Sequence, residues 1–295
     1  MKDLFLAKSI SRVVVEWLSK PEPFTARVLA SFRQACNLLT PAGELIALAS
    51  PSVGDGPLNI VVDAPFQSIG QGTKAVLQGQ VLQVGSLGVA LGDATVWEPC
   101  PDWAQLSDSR AAIVARLPEV WLIALPIAPR ESLLALLGSW REDSPAPADA
   151  MPALGLAASR ARCGAQALAA GWGGDAEQLR RGAAQLAGLG SGLTPAGDDF
   201  LVGLMLWAWL VHKNPQAFCS LLVEEAIPRT STLSAAWLRA AAGGGASTSW
   251  HQFLTALTEG VGLEAAVDRV LSHGATSGAD TMAGFLWIGS SRAAA

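Results

Sequence analysis

Residues 44–63, ELIALASPSVGDGPLNIVVD, set the character of the first third of the chain. They hold two short apolar runs, 44–49 and 58–63. Each follows a turn signal, Thr40-Pro41-Ala42-Gly43 before the first and Gly54-Asp55-Gly56-Pro57 before the second. Short apolar runs rich in branched side chains and bounded by Gly, Pro and Asp read as strands. On either side, 25–32 alternates, and 76–84, 87–91 and 94–97 continue the pattern at short spacing. This predicts a compact β-rich unit, a small barrel or sandwich.

The 295 residues are 51% hydrophobic and 15% charged, with a formal net charge of −5. That composition excludes a disordered chain. Scattered Lys and Arg on a mildly acidic chain argue against a dedicated nucleic-acid or anionic-lipid binder. The longest apolar run, 200–211, is flanked by Asp198, Asp199, His212 and Lys213. It falls well short of the about 20 residues a membrane span needs, so a buried core helix is expected. The first twenty residues mix Asp3, Lys8, Arg12 and Glu16 among apolar ones and predict no secretory leader. Cys36, Cys100, Cys163 and Cys219 form no CxxC pair. Reduced thiols and a cytoplasmic location are expected.

Further along, 102–117 and 129–140 read as helices, while 120–125 fits either a strand or a helical turn. The segment 141–152, REDSPAPADAMP, has linker composition. Beyond it, 153–170, 175–189, 198–212, 215–226, 231–242, 250–259, 263–272 and 277–288 all read as helices. The expected class is α+β. It has a β-rich part with flanking helices at 1–140, a linker at 141–152 and a helical part at 153–295. No repeat of 20–50 residues is evident.

The segment 188–199, GLGSGLTPAGDD, joins two apolar helices. Gly190, Gly192 and Gly197 permit unusual backbone angles and close approach of a ligand, with Ser191 between the first two. Thr194-Pro195 is a good helix start. Free N–H groups and the helix dipole there favour an anion. No Lys-Ser/Thr follows the glycines and no strand precedes them, so neither a P-loop nor a dinucleotide fingerprint is present. The plainer alternative is a helix C-cap and tight turn, with Asp198 and Asp199 serving the dipole. Adjacent carboxylates point to different sides of a helix, so one can serve the dipole while the other faces a pocket.

Two further segments share this character. Arg229, Thr230, Ser231, Thr232 and Ser234 crowd one helix entry, and Thr276, Ser277, Gly278 and Asp280 another, with His273 just before. An over-provided N-cap explains either one alone. Three such helix starts in one helical half, if they converge, form a cup of donors with a few carboxylates. That suits a small anionic, amide-containing molecule. His212 and His251 lack metal-ligand spacing, so no metal site is expected.

The order GLGSGLTPAGDDFLVG, RTSTLS, HGATSGADTMAG resembles the AllH-like family, linked to oxamate carbamoyltransferase. The resemblance implies one subunit of an assembly in purine (allantoin) breakdown, with other carbamoyltransferase subunits as partners. That assembly exchanges a carbamoyl group between oxalurate and phosphate, giving oxamate and carbamoyl phosphate. Such a transfer passes through a tetrahedral oxyanion and needs preorganised donors. The three helix starts can supply them. Asp198, Asp199 or Asp280 can accept N–H bonds from the carbamoyl amide or move a proton, and His273 can titrate. Ala279 and Ser272 depart from the family pattern. Two other readings stay open: a non-catalytic interaction or regulatory subunit, and a phosphotransferase with Mg²⁺ on Asp198 and Asp199. No other cofactor is implied.

Overall fold

A computed structural model describes residues 3–140 and 155–289. The chain forms two compact units. One is Met1–Pro101 with Gly245–Thr248, and the other is Asp102–Gly244 with Ser249–Ala295. The helices at 103–140, grouped by sequence with the β-rich part, therefore belong to the helical unit. The linker expected at 141–152 lies outside the described residues.

The first unit holds β1 (Asp3–Ser11), α1 (Arg12–Leu18), β2 (Thr25–Ser31), β3 (Ala35–Leu39), β4 (Leu45–Ala49), β5 (Asn59–Val62), β6 (Lys74–Gln78), β7 (Val81–Val84), β8 (Leu87–Ala90) and β9 (Thr95–Trp97). Neighbouring strands run β5-β4-β3-β2-β6-β7-β8-β1, and β1 pairs back onto β5, closing a barrel of eight. Of the two architectures the pattern allows, the structure is the barrel. Strand β1 makes the closure. It runs antiparallel to β5 through Ala7–Val62 and Ile10–Ile60, and parallel to β8 over Asp3–Leu6. Its last three residues then pair with β9.

The pattern assigns no strand to 3–11 or 35–39, where β1 and β3 lie. In β1 the reason is a register shift between Ala7 and Ser9, which interrupts the alternation. The run 76–84 proves to be a hairpin, β6 turning into β7 at Gly79, whose φ is +60°. Alternate side chains fill the interior. Leu38, Ile46, Leu48, Ile60, Val62, Leu82, Val84 and Val89 are fully buried around Phe66.

The second unit contains α2 (Trp103–Asp108), α3 (Arg110–Ile127), α4 (Leu133–Trp140), α5 (Gly155–Gly171), α6 (Ala176–Leu186), α7 (Ala196–Val211), α8 (Pro215–Ala226), α9 (Thr232–Ala242), α10 (Thr248–Glu259), α11 (Leu263–Leu271) and α12 (Ser277–Gly289). A short 3₁₀ turn, Ile227–Arg229, precedes α9. The ambiguous 120–125 is helical, and α3 runs on through Pro118. Helix α7 is a core helix, with Phe200, Leu201, Leu204, Met205, Leu206, Trp207 and Leu210 all buried. Among the described residues no helix is long and apolar enough to cross a membrane.

Helices α7 and α12 pack backbone against backbone. A Cβ on Gly203 would stand 1.8 Å from the Thr281 carbonyl oxygen, and one on Gly284 1.9 Å from that of Phe200. The same exchange recurs one turn on, with the Phe285 nitrogen beside Gly203 and the Leu204 nitrogen beside Gly284. The crossing is thus a local two-fold. Each helix is also seated on the end of the helix before it in the chain. A Cβ on Gly197 would lie 2.0 Å from the Leu186 carbonyl oxygen of α6, and one on Gly278 1.9 Å from that of Val270 in α11. Both starts read Gly-x-Asp-x-x-x-Gly, at 197–203 and 278–284. They do not form a short-period repeat, because α8 to α11 separate the two copies.

Candidate functional site

The first turn of α7 is tied down by one carboxylate. Asp198 is buried and accepts on both oxygens. Oδ1 takes the Gly188 N–H at 2.9 Å, and Oδ2 takes the hydroxyls of Thr230 and Ser234, the latter at 2.8 Å. Burial raises its pKa, and the bonds from Thr230, Gly188 and Ser234 oppose that. Gly188 is fitted for this role. Its φ is +67°, and a Cβ there would meet the Arg229 carbonyl oxygen at 2.3 Å. Ser231 caps α9 by accepting from the Ser234 N–H, and its hydroxyl donates to the Leu193 carbonyl at 2.5 Å. Asp198 and Ser231 thereby join the glycine-rich loop to the start of α9.

The α12 start meets the same loop. The Thr194 and Ser277 hydroxyls lie 3.2 Å apart, and Ser277 also hydrogen-bonds Asp199. Asp199 is the Asp of the first Gly-x-Asp-x-x-x-Gly start, and Asp280 is the Asp of the second. Asp280 is fully buried, and its Oδ1 accepts the Leu133 N–H at the head of α4 at 2.6 Å. Thr276 donates to it as well. The Oδ2 atoms of Asp199 and Asp280 are both buried and have no hydrogen-bond partner. Burial pushes Asp280 up to about 6 against those two bonds. Asp199 is held well above the usual carboxylate range, first by burial and then by the charges of Asp280 and Asp198, with Ser277 opposing.

The three segments therefore meet, through Asp198 on one side and the Thr194–Ser277–Asp199 contacts on the other. Many of the N–H groups expected to be free are used internally. Gly197 donates to the Leu189 carbonyl, Asp198 and Asp199 to Pro195, Gly278 to His273 and Asp280 to Thr276. What the site presents in quantity is hydroxyls and carboxylates, not bare helix-end amides. Gly190, Ser191 and Gly192 are exposed, as is Thr232. Arg229 turns away from the cup, its guanidinium on the Glu225 carboxylate at 2.8 Å and on the Glu225 carbonyl. His273 is exposed at the end of α11. Among the described residues no group of three His, Cys, Asp or Glu is placed to hold a metal ion. All four cysteines are free thiols, with Cys36 and Cys219 buried. Two residues of the site, Gly188 and Leu133, are absent from the sequence-based candidates. Gly188 is accessible as the first glycine of the loop, whereas nothing in the sequence ties Leu133 to Asp280.

No solved structure matches the chain. Two family models do. One, described as oxamate carbamoyltransferase subunit AllH, matches residues 186–288, a span that holds all three site segments. The other, the AllH family N-terminal domain, matches residues 6–96, which is the barrel. With both the barrel and the site-bearing helices matched in order, the chain belongs to the AllH family.

Proposed function

We propose that this chain is the subunit of a carbamoyltransferase that exchanges a carbamoyl group between oxalurate and phosphate, giving oxamate and carbamoyl phosphate, and that its cup at 188–199, 230–234 and 276–280 binds one of these small anions. The observation that carries the reading is the meeting of the three segments inside the span matched by the family model.

The chemistry asks for what the cup contains. A phosphate oxygen attacks the ureido carbonyl carbon of oxalurate, a tetrahedral oxyanion forms, the bond to the oxamate nitrogen breaks, and that nitrogen takes a proton. The Thr194 hydroxyl is a donor of the kind an oxyanion or a phosphate needs, while Ser231 and Ser277 spend their protons on the Leu193 carbonyl and on Asp199 and brace the cup. Burial pushes Asp280 up to about 6, which suits it to holding or moving the proton. Asp198, with both oxygens filled, is better described as a positioning residue.

A subunit needs faces for its partners, and α3 offers one. Leu122 is 77% exposed and Ile127 51%, with Val114 and Leu125 also exposed on a helix whose apolar residues do not keep to one face. The test is to follow carbamoyl phosphate formation from oxalurate and phosphate, with the chain alone and with the other subunits present. Activity confined to the mixture is the expected result. Full activity from the chain alone overturns the dependence on partners, and no activity in any mixture overturns the proposed reaction.

A further inference from the structure

Two features of Asp199 and Asp280 remain unaccounted for by the fold. Their Oδ2 atoms are buried and unbonded, and they sit in the first turns of the two helices that cross at Gly203 and Gly284. A buried acceptor left without a donor has lost its water and gained nothing in return, and a native interior keeps very few such atoms. Asp198 shows the contrast, because donors from three residues fill both of its oxygens. The other two are left incomplete. The Leu133 N–H occupies Oδ1 of Asp280, and Ser277 hydrogen-bonds Asp199, yet each carboxyl keeps one open oxygen.

Resting on the site proposed above, we infer that Asp199 and Asp280 form an acceptor pair that reads the primary amide of the ligand, the –C(O)NH₂ group that oxamate and a carbamoyl compound share. A primary amide carries two N–H donors on one nitrogen, which matches two acceptors brought in by two crossing helices. Its charge is zero, so it neither needs a full countercharge nor adds one to a site that already disfavours two ionised carboxylates. The neighbouring Thr194 hydroxyl, 3.2 Å from that of Ser277, is then left for the carbonyl or the anionic end. A site built to hydrogen-bond an N–H rejects an isostere that lacks it far more strongly than an apolar pocket rejects a missing methyl group.

Oxamate and pyruvate make the test, since they differ only by –NH₂ against –CH₃. Binding to the full-length chain, alone and with the other subunits present, is measured by calorimetry. The wild type is expected to prefer oxamate by on the order of 100-fold. Asp199→Asn and Asp280→Asn each put a donor in place of the open acceptor. In Asp280→Asn the amide oxygen can still take the Leu133 N–H. Each variant should bring the ratio to within about 3-fold while leaving pyruvate affinity little changed. Equal binding of oxamate and pyruvate by the wild type overturns the amide-reading pair and leaves the anion site standing, and this needs no variant to fold. Binding of neither compound overturns both. If Mg²⁺ alone raises the melting temperature of the wild type and of neither variant, the pair is a cation site and the inference falls.

Discussion

Three aspartates in the helical unit carry the same side chain into three different circumstances. Asp198 is a clamp, Asp199 is a half-bonded acid beside two others, and Asp280 is a fully buried acid with one open oxygen. The difference matters for stability as well as chemistry. Asp280 is raised to about 6 from an ordinary 3.8. The folded protein therefore holds its proton over a range where the unfolded chain has released it. Stability falls as pH rises through that window, from about 4 to about 6, and is flat above it as far as this group is concerned. Asp280→Asn removes the titration. Relative to wild type, the variant should gain stability between about pH 4 and pH 6, by up to roughly 3 kcal/mol, since each tenfold change in proton affinity is worth about 1.4 kcal/mol. Urea unfolding across that range checks it. A constant difference between the two proteins would show that Asp280 does not titrate there.

Between single side chains and the fold stand the helix pairs α6–α7 and α11–α12. Both lead-in helices bury one stripe, Leu179, Gly182, Ala183 and Leu186 in α6, and Leu263, Ala266, Val267 and Val270 in α11. Both following helices then begin with a glycine pressed on the last turn of the lead-in and cross at a second glycine. This close contact fixes the separation of the two helix starts, and so of Asp199 and Asp280. Beside the crossing, Phe285 rests against Trp207, Trp250 and Phe253 at centroid distances of 5.2, 5.2 and 5.6 Å, which leaves little room to shift. Gly203→Ala and Gly284→Ala should each destabilise by about 3 kcal/mol or more, since the methyl group meets backbone that cannot rotate away. Gly173→Ala, where a Cβ meets nothing within 4 Å and φ is not positive, should stay within about 0.5 kcal/mol. Thermal melts of the three variants separate the cases. Equal shifts would mean that the crossing tolerates a wider spacing.

The barrel as a unit depends on its first strand. β1 pairs with β5 on one side and with β8 and β9 on the other. Its Ser11 hydroxyl donates to the Pro57 carbonyl at 2.6 Å, pinning the strand end to the segment before β5. Without β1, the edges of β5, β8 and β9 lie open, and open edges invite aggregation. Deleting residues 1–11 should therefore abolish the cooperative unfolding of the barrel unit and lower the yield of unaggregated protein. Calorimetry and size-exclusion chromatography read this. An unchanged transition would show that β5 and β8 close on each other.

How much of this was legible without coordinates depended on the range of the interaction. Strands at 45–49 and 59–62, and the helices from 176 onward, are written in local alternation, turn residues and caps, which act within a few residues. The polar helix starts and their hydroxyls were visible for the same reason, as was the resemblance that points to a carbamoyltransferase subunit. The closure of the sheet was not, because β1 to β5 pairing spans distant segments and the shift at Ala7/Ser9 breaks the periodic signal. Nor was the division of labour among Asp198, Asp199 and Asp280. Adjacent residues in one helical turn look alike in sequence, and their roles are set by donors that arrive from Gly188, Thr230, Ser234, Ser277 and Leu133. Local chemistry thus specifies which segments start helices and carry polar groups. Which carboxylates are satisfied and which stay open is a property of the folded chain, because a buried acceptor is satisfied by partners far away along the sequence.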